Sequence, residues 1–323
     1  MKRITVIIPC FNARDYIKTC IRSLENQTSK AFEIVIVDDC STDGTYEFLI
    51  DYAKHSDYKT TILRNRVNLG PAKSREHGLK YAKSDYVAFC DCDDWYEEEF
   101  VESVLKKAGE TNADILFFGY NTVLKTNSIN KVTEHRLSVD DTIDDVKTAL
   151  QLDVDSLCTI LVKREIIDNV PFPDLRNGED MALIPILITR SKNFGVIEKC
   201  LYNYLYRPGS ASLSANSTIV DSLIKSFEYI EENISDDYYK ECEYIGSKNL
   251  IYGALLNLFK FSFNIKQASI ILSSFEHKYP NWYDNENIVH LPLYRRVFLW
   301  TVKRRVFVLT KLLAIIHKHL TNR

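Results

Sequence analysis

The sequence has no CxxC pair, no GxGxxG motif and no run of eighteen uninterrupted apolar residues. Glycine and proline are sparse, at 10 and 8 of 323 residues. Each shortage excludes a class of protein. Without CxxC spacing there is no zinc knuckle, and the eight cysteines (Cys10, Cys20, Cys40, Cys90, Cys92, Cys158, Cys200 and Cys242) are too dispersed for a disulfide framework. They read as free thiols in a reducing compartment. Without a long apolar run there is no transmembrane helix to assign. The N-terminal apolar run Ile4–Ile8 stops at Pro9, too short for the core of a secretory signal. The expected location is therefore cytoplasmic. Little Gly and Pro, together with 46% hydrophobic residues, exclude collagen-like and disordered chains. The net charge of −3 argues against nucleic acid as a partner.

What is present is an alternation of short apolar runs and helical patterns over the first 120 residues. Ile4–Ile8 and Glu33–Val37 read as buried strands, Thr60–Arg64 as a third, Tyr86–Cys90 as a fourth and the end of Asp114–Gly119 as a fifth. Between them, helices are expected from Asn12 as N-cap to about Gln27, over Thr45–Lys54, after Gly70-Pro71 and over Glu97–Gly109. Apolar strands alternating with helices predict an α/β fold, a mostly parallel sheet covered on both faces. From 120 to 215 the pattern is irregular, with a helix over Met181–Thr189 and strand character over Val196–Tyr206. Beyond 219 only helical patterning remains. This predicts a catalytic domain over 1–215 and an all-helical region over 216–323, with a soft boundary near 210–218 where Pro208, Gly209 and several Ser cluster.

In an open parallel sheet, ligands bind beyond the carboxyl ends of the strands. Strand one is followed by Pro9-Cys10-Phe11-Asn12, strand two by Asp38-Asp39-Cys40-Ser41, and strand four by Asp91-Cys92-Asp93-Asp94. Five carboxylates thus gather at one sheet edge, where they repel unless a cation or donor-rich ligand neutralises them. Asp43 and Asp94 suit ordinary turn positions. Asp91 and Asp93 form a DxD pattern that suits Mg²⁺ or Mn²⁺ on one residue and a ribose hydroxyl on the other.

Four ordered segments carry a resemblance: VIIPCFNARDYIKTCIRSLENQT, IVIVDDCSTDGT, NRVNLGPAKSREHGL and YVAFCDCDDWYEEEF. Together they resemble family 2 of the glycosyltransferases, with the GT-A fold, over roughly residues 3–210. The resemblance implies an inverting transferase that moves a sugar from a nucleotide-sugar donor, a UDP-sugar by preference, to a glycan or lipid-linked acceptor in surface polysaccharide synthesis. It implies that Pro9 and Phe11 contact the nucleotide base, that Asp39 meets a uracil-type imide with Asp38 beside it, and that Arg75 lies near the nucleotide. Asp91 would contact ribose or donor sugar, and Asp93 would hold Mn²⁺ or Mg²⁺. The Asn177-Gly178-Glu179-Asp180 segment matches the family's Glu-Asp motif. That match implies Asp180 as general base, with Glu179 positioning it or binding acceptor. An ordinary reading also stands for this pair: acids in a helix's first turn, favoured by the dipole. Tyr204-Leu205-Tyr206-Arg207 and Pro208–Ser214 resemble a segment that acts as a lid, with Arg207 toward the diphosphate. Relatives often place a metal-binding His here, and this segment has none. The alternatives are a nucleotide- or carbohydrate-binding protein of the same fold without transfer activity, and a nucleotidyltransferase. The first would lack a base or metal carboxylate, yet Asp93 and Asp180 are both present. The second would want a Gly-rich loop where Pro9–Asn12 has no Gly.

Acidic residues are also missing locally. Residues 287–323 contain eight Lys or Arg and no Asp or Glu, so the rest of the chain carries −11. The stretch Tyr294–His319 mixes these cations with Trp, Phe and aliphatic residues as one basic amphipathic helix. Two partners suit it: an anionic membrane surface, at the inner face of the plasma membrane, or protein, either this chain's own body or a second copy in a homodimer.

Overall fold

The computed structural model describes residues 3–125, 130–137, 143–207 and 217–321. The expected lid at Pro208–Ser214, and most of the expected boundary at 210–218, lie outside the described residues. The chain divides into two compact units. One comprises Met1–Ala149, Val154–Arg176 and Leu187–Ser210; the other comprises Leu150–Asp153, Asn177–Ile186 and Ala211–Arg323. Two short segments from the first two hundred residues thus group with the C-terminal helices. Among the described residues no helix is long and apolar enough to cross a membrane. All eight cysteines are free.

The elements up to residue 206 are β1 (Ile4–Cys10), α1 (Ile17–Glu25), β2 (Phe32–Asp38), α2 (Thr45–His55), β3 (Thr60–Arg64), α3 (Pro71–Leu79), β4 (Tyr86–Phe89), β5 (Trp95–Tyr96), α4 (Phe100–Thr111), β6 (Ile115–Lys125), β7 (Asn130–His135), α5 (Val146–Leu150), β8 (Ile160–Lys163), α6 (Arg164–Ile167), α7 (Glu179–Thr189) and β9 (Phe194–Tyr206). Their nine strands form one sheet in the order β3-β2-β1-β4-β8-β6-β9-β5, with β7 paired to β6. Every residue of β1 and β2 is buried, so both faces are covered, as their unbroken Ile and Val runs require.

The sheet is parallel across β3-β2-β1-β4. Beyond that point it differs from the mostly parallel sheet expected. Strand β8 runs antiparallel to both β4 and β6, while β6 and β9 pair in parallel. Four-residue β8 is a short apolar run whose direction no sequence period reveals.

The start of α1 also differs. Asn12 is not its N-cap: its backbone is left-handed (φ 49°), and its Oδ1 accepts the Thr42 N–H at 2.9 Å. The helix begins at Ile17, after the Ala13 carbonyl accepts the N–H groups of Tyr16 and Ile17. Asn tolerates the left-handed region and bridges turns, so here it ties two loops together.

Helix α3 lies flush against the sheet because residue 78 has no side chain. A Cβ on Gly78 would stand 2.6 Å from Ile7 Cγ2 and 3.2 Å from Val37 Cγ2. Contacts that short do not occur without displacement. This seats Arg75, one turn earlier, near the strand ends, where it is buried.

The helical remainder consists of α8 (Ser217–Asn233), α9 (Tyr239–Gly246), α10 (Leu255–Phe261), α11 (Ile265–Lys278), α12 (Leu293–Lys303) and α13 (Phe307–Thr321). A π-helical stretch, Ser247–Ala254, joins α9 to α10. The single helix expected over Tyr294–His319 is two. Arg305 sits at φ 56° between α12 and α13, and the Val306 N–H bonds back to the Thr301 carbonyl at 2.9 Å. Thr310 then donates to Thr301 Oγ1 at 2.9 Å, which fastens the turn where both threonines are fully buried.

Candidate active site

Parallel register builds the site's floor. Cys10 of β1 is level with Asp38 of β2, and Asp38 with Arg64 of β3. The Asp39 N–H donates to the Cys10 carbonyl at 2.7 Å, and the Asn65 N–H to the Asp38 carbonyl at 2.8 Å. Three strand ends therefore open together. Pro9 is buried within β1, while Phe11, just beyond, is 49% exposed. A large exposed aromatic at a strand end offers a face on which a base can stack.

Asp38 is fully buried. Arg64 Nε lies 3.2 Å from its Oδ2, which also accepts the Ser41 N–H at 3.2 Å. Its Oδ1 has no hydrogen-bond partner among the described residues. Arg64 in turn stacks over Tyr46, 4.2 Å from the ring centre. Burial pushes the Cys10 thiol well above its ordinary pKa, and Cys92, Cys20 and Asp38 add to the effect. Cys10 is thus an inert thiol at the strand end rather than a nucleophile.

Asp39 organises a loop. Its Oδ1 accepts from Asn65 Nδ2 at 2.7 Å and from the Leu69 N–H at 2.9 Å, and its Oδ2 accepts the Gly70 N–H at 2.8 Å. Asn65 also donates to Ser74 Oγ at 3.0 Å. One carboxylate thereby fixes the approach to α3, and with it Arg75.

The DxD carboxylates each meet an arginine. Arg75 Nη2 lies 2.7 Å from Asp91 Oδ1. Arg207, just past β9, places Nη2 at 2.7 Å and Nε at 2.9 Å from Asp93 Oδ2. Its guanidinium also lies 4.5 Å from the centre of the Tyr16 ring. Burial works against the charge on Arg207, and Asp93 more than restores it.

Asp94 does different work. It is 1% exposed; its Oδ2 accepts the Tyr202 O–H at 2.5 Å and its Oδ1 the Leu205 N–H at 2.7 Å. The Asp91 N–H donates to the same Tyr202 oxygen at 3.3 Å. Burial and the neighbouring Asp91 and Asp93 push the Asp94 carboxyl well up, against the pull of its two donors. Asp94 and Tyr202 thus pin β9 to the DxD turn.

Glu179 and Asp180 belong to the second unit, in the first turn of α7. Glu179 is buried and Asp180 half-buried. Gly178, before them, adopts φ +80°, and a Cβ there would stand 2.7 Å from Ser226 Oγ. That hydroxyl donates to the Gly178 carbonyl at 2.9 Å. The turn that starts α7 is therefore fixed by a residue only glycine can supply.

The first unit accordingly brings together Pro9, Phe11, Asp38, Asp39, Arg75, Asp91, Asp93 and Arg207. Sequence reasoning missed Arg64, Asn65, Tyr16 and Tyr202. Arg64 ends strand three, so the rule that located the other carboxyl-end residues would have found it. Tyr202 had no such signal, because only the β5–β9 pairing sets it opposite Tyr96 and close to Asp94.

For a divalent cation, the donor set is small. Among the described residues no three His, Cys, Asp or Glu side chains converge as a cage. Arg207 contacts only Oδ2 of Asp93, and Arg75 contacts Oδ1 of Asp91. One or two carboxylates plus substrate phosphate oxygens make an ordinary Mg²⁺ site, so this pair fits a cation that arrives with a diphosphate.

The chain is similar in sequence and in fold to known proteins. The chain is 31% identical over 214 residues to the putative teichuronic acid biosynthesis glycosyltransferase TuaG of Bacillus subtilis (strain 168), covering 66% of this chain and 82% of that protein. It is 29% identical over 221 residues to the glycosyltransferase GlyA of Streptococcus pneumoniae serotype 4, covering 65% of this chain but only 31% of the longer relative. In fold it is similar to S. aureus TarS 1–349 in complex with UDP, with a TM-score of 0.68 and 18% identity over 98% of this chain and 91% of that one. The same TarS fragment with UDP-GlcNAc gives a TM-score of 0.62 at 20% identity, over 98% and 92%. The model of the family described as "Glycosyl transferase family 2" matches residues 5–170, a stretch that contains the open strand ends and the DxD turn, so the chain belongs to glycosyl transferase family 2.

Proposed function

We propose that this glycosyltransferase moves a sugar, with inversion, from a UDP-sugar to a glycan or lipid-linked acceptor in surface polysaccharide synthesis. The observation that carries this reading is the pairing of Asp91 with Arg75 and Asp93 with Arg207 at the open strand ends. Two cations and two carboxylates beside the strand ends suit a ligand that is anionic at its diphosphate and rich in hydroxyls at its sugars. The TarS structures bind UDP and UDP-GlcNAc, which favours a uridine nucleotide here. TuaG, named for teichuronic acid biosynthesis, favours a surface-polymer acceptor.

Phe11 would stack on the base, and Asp38 with Asp39 would hold the nucleotide end. Asp91 would meet ribose or the donor sugar. Asp93 would ligate Mg²⁺ or Mn²⁺, whose charge would offset that of the diphosphate. Arg207 would turn from Asp93 to the diphosphate oxygens as these displace it. Asp180 would take the proton of the acceptor hydroxyl as its oxygen bonds the anomeric carbon and the bond to UDP breaks. A carboxylate is a weak base toward an alcohol, so proton removal comes late in that displacement. Glu179 would position Asp180 or hold acceptor. A lipid-linked acceptor would bring the enzyme to the inner face of the plasma membrane.

The test is thermal denaturation with UDP, UDP-sugars and other nucleotide sugars, with and without Mn²⁺. Ligand bound only to the native state at about a hundred times Kd stabilises by about 2.7 kcal/mol, a shift of several degrees. A shift for uridine nucleotides and none for GDP- or CMP-sugars is expected. No shift with any uridine compound overturns the donor assignment.

A further inference from the structure

We propose that the outward face of α13, with Phe261 and Phe263 beside it, docks on the surface of an anionic phospholipid bilayer. This rests on the helical unit alone and not on the donor assignment.

The face is apolar and open. Val308, Leu312, Ile316 and Leu320 are 72%, 51%, 46% and 68% exposed. Spacing of four residues sets them in one stripe along the helix. Across the helix, Phe307, Thr310 and Ala314 are buried, so the inner contacts of α13 are already made. Phe261 and Phe263, at the end of α10, are a further 49% and 47% exposed. Lys318 of α13 lies 4.7 Å from the centre of the Phe261 ring, and Lys311 Nζ reaches the Ser262 carbonyl at 3.2 Å. The two rings thus lie beside α13, at the flank that carries Lys311 and Lys318. Proteins that stay free in water rarely leave such a surface uncovered.

Its charge selects the occupant. Residues 287–323 contain no Asp or Glu. Lys311 Nζ donates to the carbonyls of Phe259 and Ser262, which are neutral acceptors and not counter-charges. Lys260 is held below its ordinary pKa by burial first and then by nearby Lys318, while Arg295, Lys303 and Arg305 of α12 and the following turn are paired with Asp153 and Glu276. Long Lys stems beside apolar residues let an ammonium reach lipid phosphates while the apolar stripe enters the interface. A second copy joined through the same face would instead set these cations against their own kind across a two-fold axis.

The experiment is co-sedimentation of the full chain with vesicles of 7:3 phosphatidylcholine:phosphatidylglycerol and of phosphatidylcholine alone. At least tenfold more protein is expected in the anionic pellet, with the difference lost at high salt. Leu312→Glu with Ile316→Glu should reduce the anionic pellet to the neutral level. Both side chains are exposed, and an unchanged Tm and far-UV circular dichroism spectrum would show that the variant folds. Val308→Glu serves where the double variant does not. No pelleting, equal pelleting on both vesicles, or variants that pellet like the parent overturn the proposal. So does a dimer, seen by sedimentation velocity without lipid, that the same substitutions dissolve.

Discussion

Arg207 closes on Asp93 with two nitrogens on a single carboxylate oxygen, while its guanidinium covers the Tyr16 ring. The same carboxylate is the one the DxD pattern offers to a cation. If Asp93 ligates a cation as proposed, arginine and metal compete for it. Arg207→Ala is expected to raise Mn²⁺ affinity in the absence of nucleotide by about tenfold, the scale of a charged hydrogen bond. The same variant should weaken UDP binding. Calorimetric titrations of Mn²⁺ and of UDP read both. Equal Mn²⁺ affinity in parent and variant would show that the two do not compete.

Asp180→Asn should lower transfer by about 10²–10⁴-fold, the usual contribution of a general base. UDP binding should survive, because Asp180 lies on α7 and not on the strand ends proposed to hold the donor. A variant that loses UDP affinity along with turnover would remove Asp180 from the role of base.

Gly178→Ala meets two penalties, a left-handed backbone and a Cβ 2.7 Å from Ser226 Oγ. About 1–3 kcal/mol of stability should be lost. Turnover should fall further than the stability loss explains, because the turn also sets Asp180. Pairing Gly178→Ala with Ser226→Ala should recover part of the Tm; no recovery would locate the whole cost in the backbone.

Two buried aspartates should give opposite pH responses. The Asp94 carboxyl is pushed up in the folded state by burial, Asp91 and Asp93. Its favourable contribution is complete below the unfolded pKa of ~3.9 and is lost as pH rises through the folded value. The stability deficit of Asp94→Asn against the parent should therefore shrink as pH rises above ~3.9 toward the raised folded value. Burial also pushes Asp114 up, but Lys163 and the N–H groups of Lys192 and Asn193 outweigh it and bring its pKa down. Its contribution is present above ~3.9 and is lost as pH falls through the lowered value. Asp114→Asn should cost about 1–3 kcal/mol at pH 7 and progressively less below pH 4. Denaturant unfolding across pH tests both, and parallel profiles for the two variants would contradict the assignment.

Much of this was legible in the residues. Unbroken apolar runs made β1 and β2 readable, and the carboxyl-end rule then put Pro9–Asn12, Asp38-Asp39 and Asp91–Asp94 at one edge. Local pattern stops where the answer depends on distant partners. Asn12 has the composition of a helix cap, yet its side chain binds Thr42, thirty residues on. Asp94 has the composition of a turn residue, yet its partners lie on β9, more than a hundred residues away. The break at Arg305 was hidden for another reason. Arginine is a good helix former, and what stops the helix there is the bond from Val306 to Thr301.

The empty space at Gly78 has an evolutionary consequence. A Cβ at 78 collides with one methyl, Ile7 Cγ2, and crowds a second, Val37 Cγ2. Relatives that carry alanine at the position equivalent to 78 should then carry a smaller residue at the equivalent of 7. The two positions should drift as a linked pair across descent, seventy-one residues apart in the chain and joined by one missing methyl group.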